Sequence, residues 1–483
     1  MNWLVVGGYL ALLIGVGVYF AKREKSTEDF FLAGRRIPWW AAGLSIFGTQ
    51  LSAITYLAMP AKAYAGDWSL LPLNIGILAI APLVIYVYLP LFRRLDVTTA
   101  YEYLEKRFHV SIRILGSLSF IILQLGRMGI VILLPALALS AVTGASVYLC
   151  IVLIGVLSTV YTALGGMEAV IWTDVLQAAV LIVGAIAALT IMVGALDGGW
   201  RELVAVGAAN NKFTLAHRGW DWTSDTLAVV VLGALFTNSL VPYTTDQSVI
   251  QRYLTTPDVK QAGRAILVNG ILAVVAGILF LMVGTALFVF YRANPMRQPT
   301  LEAGDQIFAI FIWQEMPVGL SGLVVAGIFA AAMSSLDSSI HSISTAVTTD
   351  FVRRFKPGLM PQTYLAFARG FTVTFGLVGT VTAMLIAAAQ VESLWDAFLG
   401  IMGLFGGTLA GLFMLAIFTR KVHTLDAWVG AAASIGVLLY VRLATNLNGL
   451  LYGVIGVATC FLTGFLSSRI RPVSVKATGN QRG

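Results

Sequence analysis

The sequence predicts an all-α membrane protein with thirteen transmembrane helices, its N-terminus outside the cell and its C-terminus inside. Three observations support this prediction. Only 11% of the 483 residues are charged, whereas about 25% is usual in soluble domains. Apolar runs long enough to form spanning helices recur along the chain, and Lys and Arg are concentrated in every second loop between them. A membrane explains the missing charges, because the surface of a large soluble core would still need them.

Each predicted span meets the length requirement of a bilayer, which is about 20 apolar residues in a helix. The first apolar run is followed, not preceded, by the charges of Lys22, Arg23 and Lys25. That order is typical of a retained helix and not of a cleaved signal peptide. The predicted spans are 2–21, 38–62, 69–91, 113–143, 146–165, 170–195, 226–249, 263–291, 318–347, 366–389, 393–418, 425–443 and 448–467.

The distribution of basic residues gives the orientation of these spans. Of the 31 Lys and Arg residues, 23 fall in the loops of one side and in the tail, seven fall on the other side, and Arg127 lies inside a span. Cytoplasmic loops are enriched in Lys and Arg, so the basic side is assigned to the cytoplasm. The net charge of +8 is therefore a topology signal, and no nucleic-acid partner is expected.

The loops and motifs argue against several other classes of protein. No loop is long enough for a folded soluble domain, so a single transmembrane domain is expected, with a cytoplasmic tail at 468–483. No G-x-x-x-x-G-K-[ST] loop is present, which argues against ATP-driven transport. Cys150 and Cys460 lie in apolar runs and indicate neither a disulfide framework nor a metal cluster.

Polar residues interrupt the second span at its middle. Gly48, Thr49, Gln50, Ser52 and Thr55 lie there. An unwound segment within a membrane exposes carbonyl oxygens that can bind sodium. The alternative is a kinked packing helix whose hydroxyl groups bond back to its own backbone.

The ninth span carries a serine-rich segment with a carboxylate. Ser334, Asp337 and Ser338 are three and four residues apart and share one helix face, with Ser335 on the neighbouring face. Such oxygen ligands suit a hard cation, and polar contact between helices is the alternative. His341 follows Ser338 by three residues, but no nucleophile elbow supports an intramembrane hydrolase, so no enzyme is predicted.

Two further ionisable residues lie in or next to apolar runs, where charges are costly and often functional. Asp174 lies at the inner end of the sixth span, where it is either functional or a solvated helix end. Arg127 is too deep to reach water easily. A buried guanidinium group requires a carboxylate, which comes either from the protein or from a substrate.

Together these segments resemble the sodium/solute symporter family, from about Lys22 to Ile470. The similar segments are FFLAGRR at 30–36, TAYEYLEKRF at 99–108, YTALGGMEAVIWTDVLQ at 161–177, DQSVIQRY at 246–253 and the serine-rich 330–342. Within that family the chain is most similar to bacterial sodium–sialic acid symporters, through PAKAY at 60–64, Gly126-Arg127 and WDAF at 395–398.

The resemblance implies two inverted five-helix repeats, at 38–195 and 226–418, between a leading helix at 1–21 and two trailing helices at 425–467. The first helices of the repeats would be broken at Gly48–Ser52 and at about Gly233–Ser239. It also implies a bacterial inner-membrane location, contact with membrane lipid and a functional monomer.

The same resemblance implies the site residues. A first sodium ion would be held by Gly48, Leu51, Ala331, Ser334 and Ser335. A second would be held by Asp174, Asp337 and Ser338, sharing Ser334, with Asp337 in place of the serine expected at that position. The substrate residues would be Gln50, Ser52, Thr55, Leu70, Asn74 and Arg127; Gln50 and Asn74 replace the threonine and glutamine expected in sialic acid carriers.

The predicted function is therefore sodium-coupled symport of a small carboxylate-bearing sugar acid such as sialic acid, by alternating access. A carrier of a neutral sugar or a short monocarboxylate is the alternative within the same class. A solute-gated channel or polytopic sensor is the alternative from another class, and it would show no uptake against a gradient.

Overall fold

The structure is a computed structural model that describes residues 2–21, 26–299, 306–389 and 394–470. Lys22, Arg23 and Lys25 and residues 471–483 of the predicted tail lie outside this described part. Within it, the regular elements are helices, and a single isolated β-bridge joins His217 to Thr226. The all-α prediction is confirmed for these residues.

The helices of the first half of the chain are α1 Asn2–Ala21, α2 Thr27–Leu32, α3 Trp39–Gln50, α4 Ala53–Ala65, α5 Pro72–Leu83, α6 Leu89–Arg94, α7 Tyr101–Arg107, α8 Val110–Thr143, α9 Val147–Gly194 and α10 Gly199–Ala209. Those of the second half are α11 Leu227–Leu232, α12 Val241–Thr245, α13 Gln247–Leu254, α14 Val259–Ala293, α15 Ile307–Glu315, α16 Leu320–Ala346, α17 Pro361–Ala388, α18 Leu394–Ile401, α19 Thr408–Phe418, α20 Thr424–Ala444 and α21 Tyr452–Ile470.

The second predicted span is broken, as the sequence predicts. Trp39–Gln50 and Thr55–Ala65 meet at an angle of 59°. Leu51 ends the first helix with φ −77° and ψ 83°, outside the helical region, and Ser52 begins the next one in extended conformation. The break therefore falls among the polar residues that predicted it.

The helix is not broken at Gly233–Ser239, where the sequence predicts a break. The backbone there remains helical and widens into a π-helical stretch, Gly233–Leu240, between α11 and α12. Pro242 follows it, and a proline in a helix cannot donate a hydrogen bond and clashes with the carbonyl group four residues earlier. That carbonyl belongs to Asn238, inside the π-helical stretch, so the wider turn relieves the clash without unwinding the chain.

The fifth and sixth predicted spans are the two halves of α9. They join at Gly166, whose φ of 55° and ψ of −156° lie near a region that is open essentially to glycine alone. The 48-residue helix therefore changes direction at this residue with no intervening loop, which apolar run length cannot reveal.

The serine-rich helix α16 lies at the centre of the molecule. It packs against α1, α3, α8, α9, α13 and α17, and 94% of the most apolar stretch of Leu320–Arg353 is buried. A spanning helix that is polar and fully enclosed needs partners for its polar groups from its neighbours. The candidate site is built from those partners.

Candidate ion and substrate site

The end of α3 packs against α16 and brings together residues of the predicted first sodium site. A helix end leaves its last carbonyl groups without partners inside the helix. A Cβ atom at Gly48 would lie 3.3 Å from Ser334 Oγ, and the Ser335 hydroxyl donates to the Thr49 carbonyl oxygen over 3.2 Å. The remaining two members are Ala331, buried on α16, and Leu51, buried at the break.

Asp174 is fully buried, so the alternative of a solvated helix-end carboxylate is wrong. Its Oδ1 accepts from the Ser334 hydroxyl over 2.8 Å. Its Oδ2 accepts from the Ser45 hydroxyl over 2.5 Å and from Arg252 Nη2 over 2.9 Å. Two facing helices and a short third one, α13, thus converge on this carboxylate.

Arg252 lies among the residues of the predicted second sodium site. The sequence assigns it to a cytoplasmic loop, but it is fully buried. Besides Asp174, its Nη2 donates to the Ser338 hydroxyl over 2.5 Å, and its Nε donates to the Ser45 hydroxyl over 2.8 Å. The guanidinium group supplies the positive charge beside Asp174 in this arrangement.

Asp337 is also fully buried but faces a different set of groups. Its Oδ2 accepts from the Tyr161 hydroxyl over 2.5 Å, and its Oδ1 accepts from the Ser338 hydroxyl over 3.1 Å. Within the described ranges, no group of three His, Cys, Asp or Glu side chains is arranged to hold a metal ion. The ion ligands offered here are hydroxyl, carbonyl and carboxylate oxygens, which suit a hard cation.

Arg127 has a protein carboxylate within reach. Its Nη1 lies 3.5 Å from Asp246 Oδ2, and its Nη2 donates to the Thr49 carbonyl oxygen over 2.8 Å. Its Nε is buried without a hydrogen-bond partner. Both alternatives left by the sequence therefore stand, since Asp246 supplies part of the neutralising charge and one N–H group is still free for a ligand.

Two cavities near the break contain most of the predicted substrate residues. The first has a volume of about 80 Å³ and is lined by Gln50, Thr55 and Asn74. The second, of about 90 Å³, shares Thr55 and Asn74 with it and adds Leu70. Leu70 and Lys62 also line a third cavity, of about 550 Å³, next to the second one.

Two of the predicted substrate residues do not line these cavities. Ser52 lies in the break, and Arg127 lies behind the Thr49 carbonyl group. Gln50 lines the first cavity with its Nε2 buried and without a partner. The amide of Gln50 is therefore a donor available to a ligand.

His341 does not form a catalytic pair with Ser338. Its Nε2 donates to the Phe30 carbonyl oxygen over 2.9 Å, and its Nδ1 lies 3.3 Å from Gln251 Nε2. Both ring nitrogens are therefore occupied by groups that fix α2 and α13 against α16.

Several site residues were missed by the sequence analysis. Asn238, Tyr243 and Asn269 line the first cavity, and Asn269 Nδ2 donates to the Tyr243 hydroxyl over 2.7 Å. The two asparagines lie in apolar runs, and a polar residue in such a run is a signal that could have identified them as candidates. Asp246 and Arg252 lie in the DQSVIQRY segment, but their partners are distant in the chain and no local pattern indicates them.

The chain is similar to known proteins over nearly its whole length. The chain is 41% identical over 469 residues to the sodium/sialic acid symporter NanT of Aliivibrio fischeri, covering 97% of this chain and 93% of that protein. It is 40% identical over 471 residues to the sodium/sialic acid symporter SiaT of Proteus mirabilis, covering 97% and 95%.

A solved structure is also similar. It is described as a substrate-bound outward-open state of a Na⁺-coupled sialic acid symporter that reveals a novel Na⁺ site. It superposes with a TM-score of 0.92 at 39% identity and covers 98% of both chains. The family model described as "Sodium:solute symporter family" matches residues 30–433. The chain therefore belongs to the sodium:solute symporter family.

Proposed function

We propose that the chain is a secondary transporter that couples sodium entry to the uptake of sialic acid or a closely related sugar acid. The observation that carries the proposal is the contact of the broken α3–α4 helix with the serine-rich face of α16, beside cavities lined by Gln50, Thr55 and Asn74. The sialic acid symporters at about 40% identity over nearly the whole chain support the substrate. Proteins of this family are transporters, and no enzymatic reaction is proposed.

In the proposed mechanism, sodium binds from outside at the first site and stabilises an outward-open arrangement of α3 and α16. Its ligands are the carbonyl oxygens of Gly48, Leu51 and Ala331 and the hydroxyl groups of Ser334 and Ser335. Binding the ion at the end of α3 fixes the break, whose polar residues then receive the substrate. The outer side closes, and the inner side opens.

The substrate carboxylate is proposed to bind the free N–H group of Arg127. Arg127 also donates to the Thr49 carbonyl oxygen at the end of α3. Ser335, a ligand of the first sodium, donates to that same oxygen. The proposed anion and sodium sites are therefore linked through one backbone group, which provides a physical route for their coupling. Gln50, Ser52, Thr55, Leu70 and Asn74 complete the proposed substrate site.

A second sodium is proposed beside Asp174, Ser334, Asp337 and Ser338. An anionic substrate cancels the electrical contribution of one sodium ion, so a second ion increases the accumulation that the gradient can support. Arg252 already donates to two of these four residues. A second ion must therefore displace Arg252 or bind on the side of the cluster that Arg252 does not reach.

Thirteen spans are proposed, as a monomer in the bacterial inner membrane, with the repeats at 38–195 and 226–418. The described part of the chain has ten helices that are long and apolar enough to cross, or eleven with the bent pair at Trp39–Gln50 and Thr55–Ala65. Counting the two halves of α9 separately and adding the leading helix, whose apolar part is Leu4–Phe20, gives thirteen. An odd number puts the two termini on opposite sides of the membrane, and the basic loops assign the C-terminal side to the cytoplasm.

The test is uptake of labelled N-acetylneuraminic acid into proteoliposomes, with and without an inward sodium gradient. Sodium-dependent accumulation above the external concentration is expected. Equilibration without accumulation would indicate the channel or sensor alternative. A panel of neutral sugars and short monocarboxylates under the same gradient tests whether the chain carries one of these solutes. Accumulation of one of them in place of the sugar acid would contradict the proposed substrate.

A further inference from the structure

A second polar cluster lies next to Asp337, between α1, α9 and α16. Its members are Tyr9 on α1, Tyr161 and Gln177 on α9, and Asp337 on α16. Tyr9 is 7% exposed and the other three are fully buried. The helices approach closely, since a Cβ atom at Gly17 on α1 would lie 2.9 Å from the Cβ of Tyr161.

Asp337 is the buried carboxylate of this region that has no cation. Asp174 is paired with Arg252, and Asp246 lies beside Arg127. Among the described residues Asp337 forms no salt bridge, and its oxygens accept only from the hydroxyl groups of Tyr161 and Ser338. Asp174, Asp337 and Arg252 together carry one negative charge, so one monovalent cation would neutralise them.

Polar atoms without well-formed hydrogen bonds lie next to Tyr161, the tyrosine that donates to Asp337. The Gln177 amide lies close enough to the hydroxyl groups of Tyr9 and Tyr161 to interact with both, but neither contact has hydrogen-bond geometry, so its Oε1 and Nε2 are buried without a well-formed hydrogen bond. The Tyr9 hydroxyl is buried and unpartnered as well. Buried polar atoms are nearly always partnered, so three such atoms beside one charge indicate that a polar ligand binds there.

The chemistry of the cluster selects a hard cation. It offers one carboxylate, two phenolic hydroxyl groups and an amide oxygen, and it has no sulfur or imidazole ligand. Oxygen atoms of these kinds are what hard cations prefer. The three helices pack against one another around the cluster.

We propose that a sodium ion binds here, between the Asp337 carboxylate, the hydroxyl groups of Tyr161 and Tyr9, and the Gln177 side-chain oxygen. Arg252 remains paired with Asp174. The inference rests on the proposed sodium-coupled transport and specifies where its second ion binds. It gives α1, which precedes both proposed repeats, a direct part in ion binding. Arg252 then remains in place throughout and need not be displaced by the second ion.

The experiment measures thermal unfolding of the purified full-length protein against NaCl concentration, with choline chloride keeping the ionic strength constant. The variants are Tyr9→Phe, Gln177→Leu and Asp337→Asn. Tyr56→Phe is the matched control, because Tyr56 is also a fully buried tyrosine with an unpartnered hydroxyl group. Sodium dependence of sialic acid uptake is measured in parallel for the same variants.

The wild type and Tyr56→Phe are expected to bind sodium cooperatively, with a Hill coefficient of about two. Loss of one ligand is expected to weaken the second binding event roughly tenfold, as a contact worth about 1.4 kcal/mol would, and to bring the Hill coefficient toward one. Sodium titrations of all three variants that match the control would overturn this inference and leave the proposed function intact. A shift in the pH profile of Asp337→Asn without a change in sodium dependence would also overturn it, since the occupant would be a proton. No response of the wild type to sodium would overturn both proposals.

Discussion

Two buried arginines near the end of α3 differ in how completely they are bonded. Every nitrogen of Arg252 donates, to Ser45, Asp174, Ser338 and the Ser248 carbonyl oxygen. Arg127 keeps one unpartnered nitrogen and a longer ion pair, 3.5 Å to Asp246. A satisfied guanidinium group has no free donor for a ligand, whereas an unsatisfied one has. The two residues therefore predict different consequences of substitution.

Arg127→Ala is expected to abolish sialic acid accumulation while the protein remains folded. Asp246 retains donors from Gln124 and from Ser248. Its ion pair with Arg127 is longer than that of Asp174 with Arg252, 3.5 Å against 2.9 Å, so the loss of stability should be smaller than for Arg252→Ala. Arg127→Lys should not restore uptake fully, because an ammonium group cannot reproduce the guanidinium geometry. Uptake and sodium-dependent thermal stability are measured together, with the exposed Arg201→Ala as control. Normal uptake by Arg127→Ala would contradict the proposed anion site.

Arg252→Ala is expected to destabilise the fold itself. Removing one partner of a buried ion pair typically costs about 3–5 kcal/mol, because the other charge stays buried and uncompensated. The control is Arg36→Ala, whose side chain is 60% exposed and 3.5 Å from Asp29, and exposed pairs contribute at most about 1 kcal/mol. Thermal unfolding in detergent compares the two. Equal stability of both variants would show that Asp174 does not depend on Arg252.

Glu105 predicts a pH dependence outside the membrane-spanning segments. Burial acts to raise the pKa of Glu105, but its hydrogen bonds to Arg113 and Arg354, both 2.7 Å, outweigh this and hold the pKa below its usual 4.5. A folded-state pKa lower than the unfolded one contributes stability that is present above about pH 4.5 and is lost as the pH falls through the folded-state value.

Glu105→Gln should therefore unfold at a lower temperature than the wild type near neutral pH. The difference should begin to shrink as the pH falls below about 4.5 and should vanish below the folded-state pKa, where the wild-type carboxylate is also neutral. Glu28→Gln is the control, because Glu28 is 63% exposed and 3.5 Å from its arginine. A wild-type advantage that is constant between pH 3 and pH 7 would contradict the electrostatic explanation.

Single residues also show how far the sequence could predict the site. Spacing placed Ser334, Asp337 and Ser338 on one face of a helix, because helical geometry is local. It could not pair Asp174 with Arg252, since the two are 78 residues apart and meet only through packing of α9, α13 and α16. The partner, and with it the choice between a functional and a solvated Asp174, required the tertiary structure.

At the scale of elements, close helix contacts depend on glycine. A Cβ atom at Gly284 on α14 would overlap the Pro60 carbonyl oxygen of α4 and lie 2.7 Å from the Cβ of Ala63. Small residues let membrane helices approach in this way. Because α4 is the second half of the broken helix, this contact fixes its position against α14.

Gly284→Ala is expected to push α4 away from α14, to lower stability by about 1–3 kcal/mol as overpacking does, and to reduce uptake. Gly370→Ala on α17 is the matched control, because nothing lies within 4 Å of an added Cβ there. In a helix interior that change should be neutral or stabilising by up to about 1 kcal/mol. Thermal unfolding and uptake are measured for both. If Gly284→Ala behaves like Gly370→Ala, α4 is not held by this contact.

The helix breaks show which element features a sequence reveals. Four polar residues and a glycine within an apolar run predicted the break at the end of α3, where the helix does end. The stretch before Pro242 also has polar residues, yet there the helix widens into a π-helical stretch and does not unwind. The turn at Gly166 depends on one backbone conformation, which hydropathy does not record.

At the scale of the whole molecule, the ion gradient sets what the proposed coupling can achieve. A tenfold sodium gradient supplies about 1.4 kcal/mol, and a membrane potential of about 100 mV adds about 2.3 kcal/mol per charge. One sodium ion thus supports roughly 500-fold accumulation of a neutral solute. A singly negative substrate removes the electrical part, so one ion alone would support only about tenfold accumulation. A second sodium restores the electrical part and adds another concentration term, which is the physical reason for a second ion site.

The orientation of the whole chain gives the last prediction. Single cysteines are placed at Arg218, between α10 and α11, and at Lys356, between α16 and α17, after the buried Cys150 and Cys460 are replaced by serine. With thirteen spans and an external N-terminus, residue 218 lies outside and residue 356 inside. A membrane-impermeant maleimide should label position 218 in spheroplasts and position 356 only after lysis. Both sites are exposed in the structure, so burial would not explain a failure to react. Labelling of 356 in intact spheroplasts with protection of 218 would invert the topology, and with it the side from which sodium enters the proposed site.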